Sequence, residues 1–200
     1  MQQFLLKNVS QESIISACVE CLKIPGTVLL VPTETVYGLV CRWNDPQGVA
    51  KIYELKSREA GKPLAMFAAD TAMLRANGVI LDDAAGVLTE KFCPGPITII
   101  ANNTSGTKTG FRIPDYPFIA ALLKALNYPL ASTSANLSGT PNALTVADAV
   151  RDLCGSPDMV IDAGAIPADR QASTVVDASA NEVKILRPGP ISATDIMRVL

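Results

Sequence analysis

The chain has 200 residues, a length that suits one domain with a sizeable core, and 48% of them are hydrophobic. Aromatic residues make up only 5%, so the interior rests on Val, Ile, Leu and Ala, which favours an α/β or β-rich core over a helical bundle. A formal net charge of −2 excludes a generally basic nucleic-acid coat, and the lack of any histidine excludes Ser-His-Asp and Cys-His catalysis and His-ligated metal sites.

Met1–Lys7 carries too short an apolar run for a signal peptide, and no segment approaches the ~20 apolar residues of a membrane span; a cytoplasmic protein is expected. Ser10 caps a predicted helix reaching about Ile24, with Ile14, Ile15, Cys18 and Leu22 at helical spacing, and Pro25-Gly26 ends it. Thr27–Val31 reads as a short buried strand closed by Pro32, and Thr33–Gly38 as a turn or short helix. A helix is predicted from Pro46 to about Lys56, then a strand over Leu64–Phe67. Two helices follow behind the caps Asp70 and Asp82, the second broken by Pro94-Gly95-Pro96. Strands are expected at Pro96–Ala101 and Gly110–Ile113, a helix at Tyr116–Leu126, a short strand at Pro129–Ala131 and a helix at Thr145–Leu153. Strands near Val160, Val175 and Ile185 precede a closing helix, Ser192–Leu200. Helices interleaved with hairpin-like strand pairs predict an α/β fold: one open, twisted mixed sheet flanked by helices, with no linker long enough to separate two domains.

The five cysteines, Cys18, Cys21, Cys41, Cys93 and Cys154, are odd in number and scattered, which argues for reduced thiols. Cys18 and Cys21 form a CxxC, but inside an amphipathic helix and without a second pair, so they read as small buried side chains rather than metal ligands.

Lys56-Ser57-Arg58 falls at a predicted helix end, with Lys62 close behind. Cations there cap a helix dipole; equally, an arginine fork beside a lysine point charge grips phosphate oxygens. Ser132–Gly139, following a short strand, reads either as a polar loop turning at Ser138-Gly139 or as a cradle for an anion or amino acid. Open α/β sheets bind ligands beyond strand carboxyl ends, which favours the cradle. Thr35, Arg112 and Arg187 also sit at strand ends, beside Pro or Gly, although isolated arginines are commonly solvated surface. Neither GxxxxGK[ST] nor GxGxxG occurs, so any nucleotide is held without a P-loop or Rossmann turn.

Taken together, Val31-Pro-Thr-Glu-Thr-Val-Tyr-Gly-Leu39, Lys56-Ser-Arg58 with Lys62-Pro-Leu64, Pro94-Gly-Pro-Ile-Thr98, Arg112-Ile-Pro114, Ser132-Thr-Ser-Ala-Asn-Leu-Ser-Gly139, Ser173-Thr-Val-Val-Asp177 and Leu186-Arg-Pro-Gly189 resemble the YrdC family of threonylcarbamoyl-AMP synthases in order and spacing. The resemblance implies one YrdC-like domain over residues 1–200, in the short form, with a twisted sheet around a deep, positively charged cleft. It implies ATP-dependent formation of L-threonylcarbamoyl-AMP from L-threonine, bicarbonate and ATP, with release of pyrophosphate, for N6-threonylcarbamoyladenosine in tRNA. By that likeness Lys56, Arg58, Ser134 and Asn136 are the catalytic set and, with Lys62 and Arg187, contact ATP. L-threonine lies near Thr35, Arg112, Ser132 and Ser173, Mg²⁺ accompanies ATP, and no metal site of the protein's own is expected. Implied partners are the tRNA threonylcarbamoyl-transferase machinery and tRNA itself, with no membrane. Glu59 stands where the family commonly has proline, Phe67 where some relatives carry histidine, and Lys108 in a region that is often threonine. Competing readings are a carbamoyl-adenylate-forming domain like that of hydrogenase-maturation proteins and a non-enzymatic RNA-binding or ribosome-assembly module of the same fold.

Overall fold

Alternation of apolar residues along short strands fixes which side of the sheet each residue faces. A computed structural model of the chain describes residues 1–57, 62–137 and 139–200. Arg58, Glu59 and Ser138, on which expectations fell, lie outside the described residues. Among the described residues one sheet is built from β1 (Gln2–Leu5), β2 (Leu29–Val31), β3 (Gly38–Arg42), β4 (Ala65–Phe67), β5 (Ile97–Asn102), β6 (Lys108–Arg112), β7 (Leu130–Ser134), β8 (Met159–Asp162), β9 (Thr174–Asp177) and β10 (Lys184–Arg187). The order across it is β1-β8-β2-β3-β7-β4-β6-β5-β9-β10. The pairs β1–β8, β8–β2, β4–β6 and β5–β9 are parallel and the others antiparallel, the mixed open sheet that was expected.

The helices are α1 (Gln11–Leu22), α2 (Pro46–Leu55), α3 (Thr71–Ala76), α4 (Asp83–Phe92), α5 (Pro117–Leu126), α6 (Val146–Asp152) and α7 (Ala193–Val199). Ser10, Asp45 and Asp70 accept backbone N–H bonds at their N-termini, each satisfying an otherwise orphaned donor. Asp82 holds the cap position of α4, as expected, but makes no side-chain cap bond.

Three corrections concern strands. β1 was not anticipated: its residues are polar or half-exposed, and its pairing comes from β8, far along the chain. β3 was not anticipated either, because its apolar run directly continues the Thr33–Tyr37 turn. Ser132, Thr133 and Ser134 are not a loop beyond β7 but its second half, paired with Gly38–Val40 of β3.

Leu29, Val31, Val40, Leu130, Met159 and Ile161 face α1 and α5, whereas their neighbours Leu30, Leu39, Ala131 and Val160 face α2 and α6. Across the other half of the sheet, Met66, Ile97, Ile99, Phe111 and Val176 pack against α3, α4 and α7. The α1–α5 layer covers the β8, β2, β3 and β7 end of its face and reaches Phe67 of β4. The remainder of that face carries the candidate site.

Candidate active site

The uncovered face is floored by every second residue of adjacent strands. Ser132 and Ser134 of β7, Thr98 and Ile100 of β5, and Gly110 and Arg112 of β6 all line one cavity, while the intervening Ile97, Ile99 and Phe111 are fully buried on the opposite face. Small and hydroxyl side chains at these positions leave the space open. The cavity measures about 1090 Å³, at the upper end of small-molecule sites. Of the charged side chains that line it, Lys62, Lys108, Arg112 and Arg187 are cations and Asp177 is an anion.

Arg112, the last residue of β6, is 4% exposed. It is not a solvated surface arginine. Its Nε donates to Gly95 O (3.3 Å), Nη1 donates to Thr35 Oγ1 (3.0 Å), and Nη2 lies 2.5 Å from Glu34 Oε1 as an ion pair. The guanidinium sits 5.6 Å from the centre of the Phe67 ring, a cation–π contact. Thr35 is positioned by a local turn in which Thr33 Oγ1 accepts from the N–H groups of Thr35 and Val36.

Arg187 ends β10 on the far wall. Its Nε and Nη2 both donate to Ser173 O (3.0 and 2.8 Å), and Nη2 also donates to Ser173 Oγ (3.1 Å), which shares a 2.8 Å hydrogen bond with Thr98 Oγ1. Arg187 is exposed, and partial desolvation of its guanidinium, then repulsion from Arg112, lower its pKa from the usual value. Among the described residues Arg187 has no carboxylate partner.

Lys56 is not on the cavity wall. It is 2% exposed, and its Nζ donates to Ser134 O and Asn136 O, tying the C-terminus of α2 to the turn after β7. Asn136 Nδ2 donates to Leu137 O (3.1 Å) and Thr140 O (2.7 Å), while its Oδ1 is buried without a hydrogen-bond partner among the described residues. Of the expected site residues, Thr35, Lys62, Arg112, Ser132, Ser134, Ser173 and Arg187 line the cavity. Lys56 and Asn136 stand directly behind Ser134, and Arg58 lies outside the described residues.

Sequence reasoning passed over several neighbours. Thr98 faces the cavity because Ile97 and Ile99 face the core, a period-two signal legible in the sequence. Asp177 lines the cavity and pairs with Lys108 at 3.3 Å, a contact between β9 and β6 that no local pattern reveals. Tyr37 also lines the cavity; its OH donates to Gly164 O and accepts from Ala163 N, and burial pushes its pKa up to about 12, so it stays a neutral hydroxyl. Glu34, half-buried, is the ion-pair anchor of Arg112. Among the described residues, no three His, Cys, Asp or Glu side chains gather where they would hold a metal ion, and no helix is long and apolar enough to cross a membrane.

Comparison with known proteins bears on the family and the fold. The chain is 33% identical over 184 residues to the threonylcarbamoyl-AMP synthase of Bacillus subtilis, covering 86% of this chain and 53% of the relative, so it spans about half the length of such curated relatives. The crystal structure of Pyrococcus abyssi Sua5 complexed with L-threonine superposes with a TM-score of 0.86 at 26% identity, covering 100% of this chain and 60% of that one. Escherichia coli YciO shares the fold over 98% of both chains, with a TM-score of 0.84 at 23% identity. The family model of Sua5, YciO and YrdC, described as "Telomere recombination", matches residues 24–189. With that match spanning most of its length, the chain belongs to the Sua5/YciO/YrdC family.

Proposed function

We propose that the chain forms L-threonylcarbamoyl-AMP from L-threonine, bicarbonate and ATP, releasing pyrophosphate, as a cytoplasmic step toward N6-threonylcarbamoyladenosine in tRNA. The observation that carries this reading is the convergence of Thr35, Arg112, Ser132, Ser173 and Arg187 from distant strands on one histidine-free cavity. The names of the relatives, and the threonine bound by the Pyrococcus protein, supply the substrate class.

The chemistry suits these residues. Threonine's free amine attacks carbon dioxide derived from bicarbonate, forming an N–C bond and losing a proton, to give the carbamate. A carbamate oxygen then attacks the α-phosphorus of ATP, and the bond to the pyrophosphate oxygen breaks. The second step demands alignment and neutralisation of spreading negative charge, which guanidinium and ammonium groups provide without acid–base catalysis by imidazole. In this proposal Arg112, Thr35, Ser132 and Ser173 hold threonine. Lys62, Ser134 and Arg187, with Arg58, Lys56 and Asn136, hold the phosphates, Lys56 and Asn136 acting from behind Ser134. Among the described residues no carboxylate cluster would hold a resident metal, and Mg²⁺ is assigned to the nucleotide, which enters as its magnesium complex. The product would pass to the threonylcarbamoyl-transferase machinery that acts on tRNA, and the whole chain, residues 1–200, is proposed to act as one YrdC-like domain.

The test is direct. Purified protein given MgATP, bicarbonate and L-threonine should yield threonylcarbamoyl-AMP by mass spectrometry, with pyrophosphate release that requires threonine. No product at saturating bicarbonate would remove the assignment.

A further inference from the structure

The residue that organises the threonine end of the cavity is not on its wall. Glu34 sits between Thr33 and Thr35 in a turn whose next two N–H groups, of Thr35 and Val36, are collected by Thr33 Oγ1. That turn sends Thr35 into the cavity and Glu34 beneath it, and both grip one guanidinium: Thr35 Oγ1 accepts from Arg112 Nη1 at 3.0 Å, and Glu34 Oε1 lies 2.5 Å from Nη2. Glu34 Oε1 is itself fixed by the Asp115 N–H at 3.0 Å, and the Glu34 carbonyl accepts from Arg170 Nη1. Adjacent side chains of one short turn therefore hold the plane of Arg112 on two edges, with Gly95 O on a third.

Charge makes the same point. Arg112 and Arg187 face one cavity, and Arg187 has no carboxylate partner among the described residues. Arg112 is the buried one of the two, and a buried cation without a counter-charge is unfavourable, more so beside a second cation. Glu34, whose side chain is 12% exposed, supplies the compensating charge from outside the cavity wall.

We infer that Glu34 is a positioning residue for the proposed reaction, orienting and neutralising Arg112 so that its guanidinium can hold the carboxylate of one substrate while Arg187, on the same cavity, is left to the phosphates of the other. This rests on the proposed function for the identity of those substrates, but not for the geometry.

Glu34→Gln is close in shape and removes only the charge. The KM for L-threonine should rise about 10- to 100-fold, the scale of a misplaced binding group, while the KM for ATP changes by less than about threefold. Glu34→Asp, which keeps the charge one methylene short, should recover part of the threonine affinity. A purely structural role predicts a lower Tm with both KM values unchanged, and that result overturns the inference. Where Glu34→Gln does not fold, Glu34→Asp decides: a several-fold rise in the threonine KM supports the role, and an unchanged value removes it. Arginine side-chain ¹⁵N spectra read the geometry without substrate. Arg112, assigned by its loss in Arg112→Lys, should show slowly exchanging Nη protons in the wild type and averaged ones in Glu34→Gln. Averaged Nη protons in the wild type would defeat the inference, whereas an inactive wild type with slow Arg112 protons would defeat the proposed function alone.

Discussion

Two arginines meet the same cavity on different terms. Arg112 is held by a carboxylate, a hydroxyl, a carbonyl and a ring, whereas Arg187 donates to the carbonyl and hydroxyl of Ser173 alone and lines the cavity with its charge. Arg187→Lys keeps that charge but loses the fork. Loss of about 10²-fold in kcat/KM for product formation is expected, with a stability change of about 1 kcal/mol or less; steady-state kinetics beside thermal unfolding check both. The cysteines allow a second test. Burial pushes Cys18 and Cys41 up to about 12 and Cys93 up to about 11, so near pH 8 each remains a thiol rather than the reactive thiolate. Cys154 is exposed. Timed alkylation at pH 8 should modify Cys154 first and leave Cys18 and Cys41 unmodified until the protein unfolds, as counted by intact mass. Early modification of Cys18 would mean that the α1 core opens readily.

The helices were largely legible in the sequence, because capping residues and proline stops act locally: Ser10, Asp45-Pro46 and Asp70 mark real helix starts. The strands were less so. A polar run such as Ser132–Ser134 looks like a loop only if both faces of a sheet are assumed to need covering; here one face borders a cavity, and hydroxyl side chains belong there. The candidate site was legible as a set of motifs, whereas the Glu34–Arg112 and Lys108–Asp177 pairs join segments far apart in the chain, the second across the intervening β5, which sequence order does not supply. The joint between β10 and the start of β9 yields a further prediction. A Cβ at Gly189 would lie 2.5 Å from Thr174 N and 2.6 Å from Ala172 O, both backbone atoms that cannot swing aside. Gly189→Ala should cost roughly 1–3 kcal/mol, as overpacking does, and should also lower affinity for ATP by moving Ser173 away from Arg187. A denaturant midpoint equal to wild type would show that the joint yields more easily than its geometry implies.

Because the cavity floor is assembled from β7, β6, β5 and β9, a ligand that fills it fastens together strands from most of the chain. A ligand that binds only the folded form adds about 2.7 kcal/mol at one hundred times its Kd. MgATP and L-threonine should therefore each raise the urea midpoint with an unchanged m value. L-serine should do so less well, since a pocket fitted to a methyl group loses ~1–3 kcal/mol without it. Equal shifts from serine and threonine would argue against a methyl-reading pocket. The sheet order also sets a schedule for synthesis. Gln2–Leu5 pair only with Met159–Asp162, so β1 has no partner until the ribosome has made most of the chain, and β2, although it pairs early with β3, keeps its other edge bare until then. At ~5–20 residues per second, the first strand waits roughly ten to thirty seconds with its hydrogen-bonding edge bare. During that interval the nascent protein is a natural client for a holding chaperone. Stalled chains ending before Met159 should remain protease-sensitive at their N-terminus, whereas the β5–β6 hairpin, joined by a short local turn, has formed early.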